Sequence, residues 1–138
     1  AMVGILHALG HSLGGLCHIP HGQAMMMLLP HCVRYNLDRG IHAGLYGELL
    51  GHLAPARAAA LGPDASTAER DKAFCEHLFE LNDLYHDQYG VPLALSELGV
   101  TREDLPAVAK QARYDGAALY NETEITLEDA MAVLEAAY

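Results

Sequence analysis

Apolar residues in this chain recur at three- and four-residue intervals, and almost nowhere do they alternate with polar ones. The clearest run is Ala73, Phe74, His77, Leu78, Leu81, Leu84 and Tyr85, a stripe down one face of a helix. It follows Ser66 and Glu69, whose spacing is that of a capping box, and it meets Gly90 and Pro92 at its far end. β-branched residues are scarce beside Ala and Leu, so strands have little to build on. The pattern predicts helices over about residues 2–16, 21–36, 41–53, 66–89 and 126–138, with a loop at 62–67. A further helix is expected behind Thr101, as N-cap, and Asp104, three residues on, and Thr126 and Asp129 repeat that pairing before the last helix. The fold class expected is all-α, a bundle of six or seven helices forming one domain over residues 1–138.

Other properties narrow the function. Although 51% of the residues are hydrophobic, no run approaches the roughly 18 apolar residues of a membrane span. The longest, AMMMLLPHCV at 24–33, is broken by Pro30 and His31. A net charge of −10 with eight Lys and Arg repels phosphates, so neither nucleic acid nor an anionic membrane is expected as a partner. Three cysteines, Cys17, Cys32 and Cys75, lack framework spacing, which points to a reduced, cytoplasmic setting. The start, AMVGILHALGHS, has no basic leader and opens inside a helical pattern without a cap, as expected of a piece of a longer chain.

Chemistry concentrates at the front. Five of the nine histidines lie between residues 7 and 31, where no acidic residue occurs before Asp38. His7 and His11 are one helical turn apart and so share a face. His21 lies fourteen residues beyond His7, about 21 Å along a straight helix, too far to share an ion with it. Gly14 and Gly15 loosen the chain, however, and Pro20 disfavours helical geometry at Ile19. A helix hairpin there could return His21 to the other two. The protease motif His-Glu-x-x-His is absent, since Ala8 stands where its Glu would be. Two histidines alone are a thin ligand set, because catalytic zinc takes three protein ligands and iron sites add a carboxylate. The residues by themselves therefore leave metal binding and a hydrogen-bonded histidine pair both open. Cys17 and His18 read as turn residues. His31, Cys32 and Met25 to Met27 read as packing residues, and His42, His52, His77 and His86 as surface or helix-face residues.

The stretch GILHALGHSLGGLCHIPHGQAMMMLLPHCVRYN, residues 4–36, closely resembles the signature of the iron-containing (group III) alcohol dehydrogenases. It carries Gly4, His7, His11, Gly14, His21, Gly22, Leu29, Pro30 and Asn36 at that signature's spacing. LSELGVTREDLPAVAKQARYDG, further on, resembles the family's C-terminal helices. The resemblance implies the all-helical C-terminal domain of a dehydroquinate synthase-like fold, whose partner is an N-terminal α/β domain that holds NAD(P). It implies that His7 and His21 are ligands of a divalent metal, iron or zinc, and that His11 is a catalytic residue of the cleft. The family's other two ligands, an Asp and a His, and its Gly-rich phosphate loop would lie upstream of residue 1. Where the family has Asn-Pro-Arg, this chain has YNETEITLEDA. Asn121 aligns there and the Pro-Arg is missing, which puts that loop's contacts in doubt. The activity implied is interconversion of small alcohols and aldehydes, with this chain alone inactive. Self-association, or completion by a separate N-terminal domain, is expected to cover the cleft face. The second reading is a stand-alone helical interaction module derived from such an enzyme.

Overall fold

The computed structural model describes residues 4–138. Seven α-helices make up the described chain: α1 (Gly4–Cys17), α2 (His21–Asp38), α3 (Leu45–Leu53), α4 (Pro55–Ala60), α5 (Thr67–Tyr89), α6 (Leu105–Ala112) and α7 (Leu127–Ala136). Two 3-10 turns, Leu95–Leu98 and Gly116–Tyr120, stand between the later helices, and no strand occurs among the described residues. No helix among them is long and apolar enough to cross a membrane. Two of the three expected capping pairs form capping boxes, Ser66 with Glu69 and Thr126 with Asp129. Gly90 ends α5 in the left-handed conformation, at φ 67°.

Helix α2 organises the rest because it buries residues on two sides. One side joins α1, α6 and α7 in a large core that includes Leu9, Leu13, Leu28, Leu105, Val108 and Leu134. The other joins α3 and α5 in a smaller core of Val33, Tyr46, Leu50, Phe74 and Leu78. Pro30 lies inside α2 and is itself buried. A proline has no N–H, so the carbonyl of Met26, one turn back, lacks its helical donor. The side-chain amide of Asn82 on α5 supplies that donor, with Nδ2 3.0 Å from the Met26 oxygen. The helix therefore runs through its proline without interruption.

Three boundaries differ from the sequence expectation. α1 runs through Gly14 and Gly15 to Cys17, one residue beyond the expected end, and the reversal falls after them. Its expected beginning at residue 2 lies outside the described residues. The helix expected over 41–53 begins only at Leu45, because Gly44 is left-handed at φ 91°. Its N-terminal donors are met from outside the helix: the buried Asp71 of α5 accepts from the Gly44 and Gly47 N–H groups at 2.6 and 2.7 Å. Pro55 then opens a short helix, α4, that the spacing did not announce. Finally, Thr101 does bond Asp104, through its N–H at 2.8 Å and its hydroxyl at 2.7 Å. The residues behind it form a turn, however, and the α-helical ladder starts at Leu105, next to Pro106.

Candidate metal centre

The site is made by the reversal between α1 and α2. His18 takes a left-handed conformation at φ 58°, and Pro20 is extended at ψ 133°. The Pro20 carbonyl then accepts from the N–H groups of Gln23 and Ala24 at 3.0 and 3.1 Å, starting α2. The two helices lie close because Gly10 faces Met25. A Cβ on Gly10 would fall 1.8 Å from the Met25 methyl carbon.

This hairpin brings His21, the first residue of α2, back beside the His7–His11 face of α1. The three imidazoles form a nearly equilateral triangle. Ring centres are 5.7 Å apart for His7 and His11, 5.5 Å for His7 and His21, and 5.6 Å for His11 and His21. Helical spacing makes the first of these distances unavoidable. The other two depend on the reversal.

The three rings have different surroundings. His7 is half-buried, and its Nδ1 is fully buried without a hydrogen-bond partner among the described residues. His11 is exposed, and its Nδ1 lies 3.1 and 3.2 Å from the two carboxylate oxygens of Asp115. His21 is exposed at the mouth of α2. Asp115 begins the 3-10 turn Gly116–Tyr120, where it accepts from the Ala117 N–H at 2.7 Å. Sequence reading missed Asp115, which is 104 residues from its partner. Its only local signal is the Asp-Gly pair of a turn. Asn121, at the other end of that turn, reaches α1 as well and accepts from the Ile5 N–H at 3.1 Å. That loop thus contacts α1 although the Pro-Arg is absent.

The donors can be tested against a divalent metal. An ion about 2.1 Å from one nitrogen of each imidazole sits about 3.3 Å from each ring centre. The 5.5 Å between the ring centres of His7 and His21 is less than twice that distance, so one nitrogen of each could reach a shared ion. Borderline imidazole donors suit zinc or iron. Two donors are nevertheless fewer than either metal needs, and no group of three or more His, Cys, Asp or Glu able to hold an ion occurs among the described residues. Within the triangle, His11 is engaged by Asp115. His7 and His21 fit as part of a ligand set.

The remaining candidates stay apart from the triangle. Cys17 closes α1 and packs against the larger core, next to the exposed His18. Cys32 is buried, and burial pushes its thiol far above the ordinary range. His31 stands edge-on to Phe79 at 5.0 Å. Burial, aided by the Arg34 charge, pulls its imidazole down to about 4. Met27 is core, and Met25 packs on α1.

Comparison with known proteins places this chain in a family. The model of the Fe-containing alcohol dehydrogenase family, C-terminal part, matches residues 1–138. The chain belongs to that family and corresponds to its C-terminal, all-helical domain. It is 34% identical over 136 residues to the lactaldehyde reductase of Escherichia coli (strain K12), covering 99% of this chain and 33% of that protein. It is 31% identical over 138 residues to alcohol dehydrogenase 4 of Saccharomyces cerevisiae (strain ATCC 204508 / S288c), covering 100% of this chain and 32% of that protein. Among solved structures, a 1,3-propanediol oxidoreductase superposes with a TM-score of 0.83 at 29% identity, covering 99% of this chain and 33% of that one. An alcohol dehydrogenase from Oenococcus oeni superposes with a TM-score of 0.79, also at 29% identity, with the same coverage. The chain spans about a third of the length of these relatives.

Proposed function

We propose that residues 1–138 form the metal-binding domain of an NAD(P)-dependent oxidoreductase that interconverts small alcohols and aldehydes. The observation that carries this reading is the meeting of His7, His11 and His21, with ring centres within 5.7 Å of one another and a buried His7 nitrogen that has no partner among the described residues. The relatives' names support the substrate class: besides the lactaldehyde reductase, the chain resembles a 1,3-propanediol dehydrogenase of Klebsiella pneumoniae and an NAD-dependent methanol dehydrogenase of Bacillus methanolicus. Partners in this reading are the small alcohol or aldehyde and an α/β domain that carries NAD(P) and completes the ligand set. The helical chain alone is inactive.

His7 and His21 would hold the divalent ion, iron or zinc. When bound, it acts as a Lewis acid that polarises the substrate oxygen. The remaining work falls to this chain's own groups. α1 holds His7 half-buried, so ordered water does not compete freely for it. His11 lies beside both rings, is exposed, and exchanges a proton with the substrate hydroxyl directly or through water. The small α1–α2 separation at Gly10 keeps the three rings together on one short hairpin.

The test is metal content and alcohol oxidation in the protein joined to its cofactor domain. His7→Ala and His21→Ala should each abolish bound metal and turnover, and His11→Ala should keep the metal and lose about 10²–10⁴-fold in turnover. Metal retained at the parent level in both ligand variants would refute the reading.

A further inference from the structure

We propose that Asp115 is a positioning residue for His11. Its carboxylate holds the imidazole as the tautomer with the proton on Nδ1 and leaves Nε2 as the lone-pair nitrogen. The proposal rests on the reading above only for its catalytic consequence, since the tautomer is a property of this chain.

The argument begins with the segment that carries Asp115. Residues 115–121 cross α1 and bond to it at both ends, Asp115 to His11 and Asn121 to the Ile5 N–H. Each end is itself held. Asp115 Oδ1 accepts from the Ala117 N–H at 2.7 Å, and Asn121 Nδ2 donates to the Thr123 carbonyl at 2.9 Å. The carboxylate is therefore fixed before it meets the histidine, and it is more sheltered than its partner, with a side chain 22% exposed against 46% for His11.

Donor and acceptor chemistry does the rest. An ionised carboxylate only accepts hydrogen bonds, so a bond to Nδ1 requires the proton to be on Nδ1. In a neutral imidazole the other nitrogen is then an acceptor. A ring free to choose either tautomer presents the required nitrogen only part of the time. Asp115 removes that choice, and Nε2 becomes the single atom through which His11 takes a proton from a substrate hydroxyl or an intervening water.

The same geometry supplies an isosteric test. In Asp115→Asn the Ala117 N–H still needs an acceptor, so the amide oxygen stays in the Oδ1 position. The amide nitrogen then occupies the Oδ2 position, 3.1 Å from His11 Nδ1, where it can only donate. The retained oxygen at the Oδ1 position, 3.2 Å from Nδ1, still accepts from it. The amide N–H beside it repels a proton on Nδ1, so the preference for the Nδ1 tautomer weakens and the Nε2 tautomer gains population. The cap of the 3-10 turn survives, so the change is in the proton's place and leaves the fold alone.

Nitrogen-15 NMR of histidine-labelled protein, at a pH where His11 is neutral, reads this without metal or cofactor; a His11→Gln variant identifies the His11 signals. In the parent, Nδ1 should show the protonated shift and Nε2 the unprotonated one. In Asp115→Asn the two shifts should move towards each other as the second tautomer becomes populated. A parent His11 protonated on Nε2 overturns the proposal by itself, whether or not the variant folds, and so does an Asp115→Asn spectrum unchanged from the parent. With the cofactor domain present, Asp115→Asn should keep its metal and lose turnover in proportion to the Nε2-protonated fraction, by less than His11→Ala does. A shifted tautomer population with undiminished turnover would instead overturn the role of His11 in proton transfer, and with it that part of the proposed function.

Discussion

Replacing Asn82 by Ala should destabilise the protein because Pro30 leaves a helical carbonyl with no donor of its own. Asn82 Nδ2 is 3.0 Å from the Met26 oxygen, the atom a Pro30 N–H would otherwise reach. Losing the bond costs about 0.5–1.5 kcal/mol net, and leaving a half-buried carbonyl unpaired raises the sum to about 1–2.5 kcal/mol. For a domain of this size that lowers Tm by about 3–10 °C. The decisive comparison is a double-mutant cycle with Pro30→Ala, in which the helix regains its own N–H. In that background the Met26 carbonyl is satisfied without Asn82, so Asn82→Ala should cost less than about 0.5 kcal/mol, a coupling of at least about 0.5 kcal/mol. Urea denaturation followed by far-UV circular dichroism measures all four stabilities. An equal cost of Asn82→Ala in both backgrounds would refute the reasoning, because Asn82 would then act through something other than the missing donor.

Two further predictions concern packing and pH. Gly47 of α3 faces α5 so closely that a Cβ would lie 2.7 Å from the Arg70 Cβ; Gly47→Val should lower stability by about 1–3 kcal/mol in the same assay, and no loss would mean that α3 can move off α5 freely. His31 has a folded-state value near 4 against about 6.5 when unfolded. The unfolded chain therefore binds the extra proton first: stability is full above about pH 6.5 and falls as the pH drops towards 4. His31→Leu should flatten that part of the acid limb in pH-dependent denaturation, and an unchanged limb would show that other groups govern it.

The local chemistry of this chain was legible because it acts between residues three or four apart. The capping boxes at Ser66 and Thr126, the Gly90 stop and the shared face of His7 and His11 all follow from helical spacing. The family resemblance identified the correct domain because its motif residues lie in the single stretch 4–36. Where the local rules failed, a remote residue had intervened. α3 begins at Leu45, with Asp71 from α5 serving the donors that its own sequence leaves uncapped. α2 survives Pro30 because Asn82, more than fifty residues away, donates in its place.

The site divides in the same way. By itself the sequence determined the periodicity of six helices, the candidate histidines and the reversal at Pro20, since φ/ψ restriction and i, i+4 contacts are properties of short segments. Only tertiary structure decided that His21 lies 5.5 Å from His7, and that Asp115 reaches His11 across 104 residues. Those distances depend on how closely packed helices approach, set by a bare Gly10 against Met25 and by a turn tied to α1 at both ends. No spacing along the chain encodes such an approach, because it is fixed by the sum of contacts that all the helices make with one another.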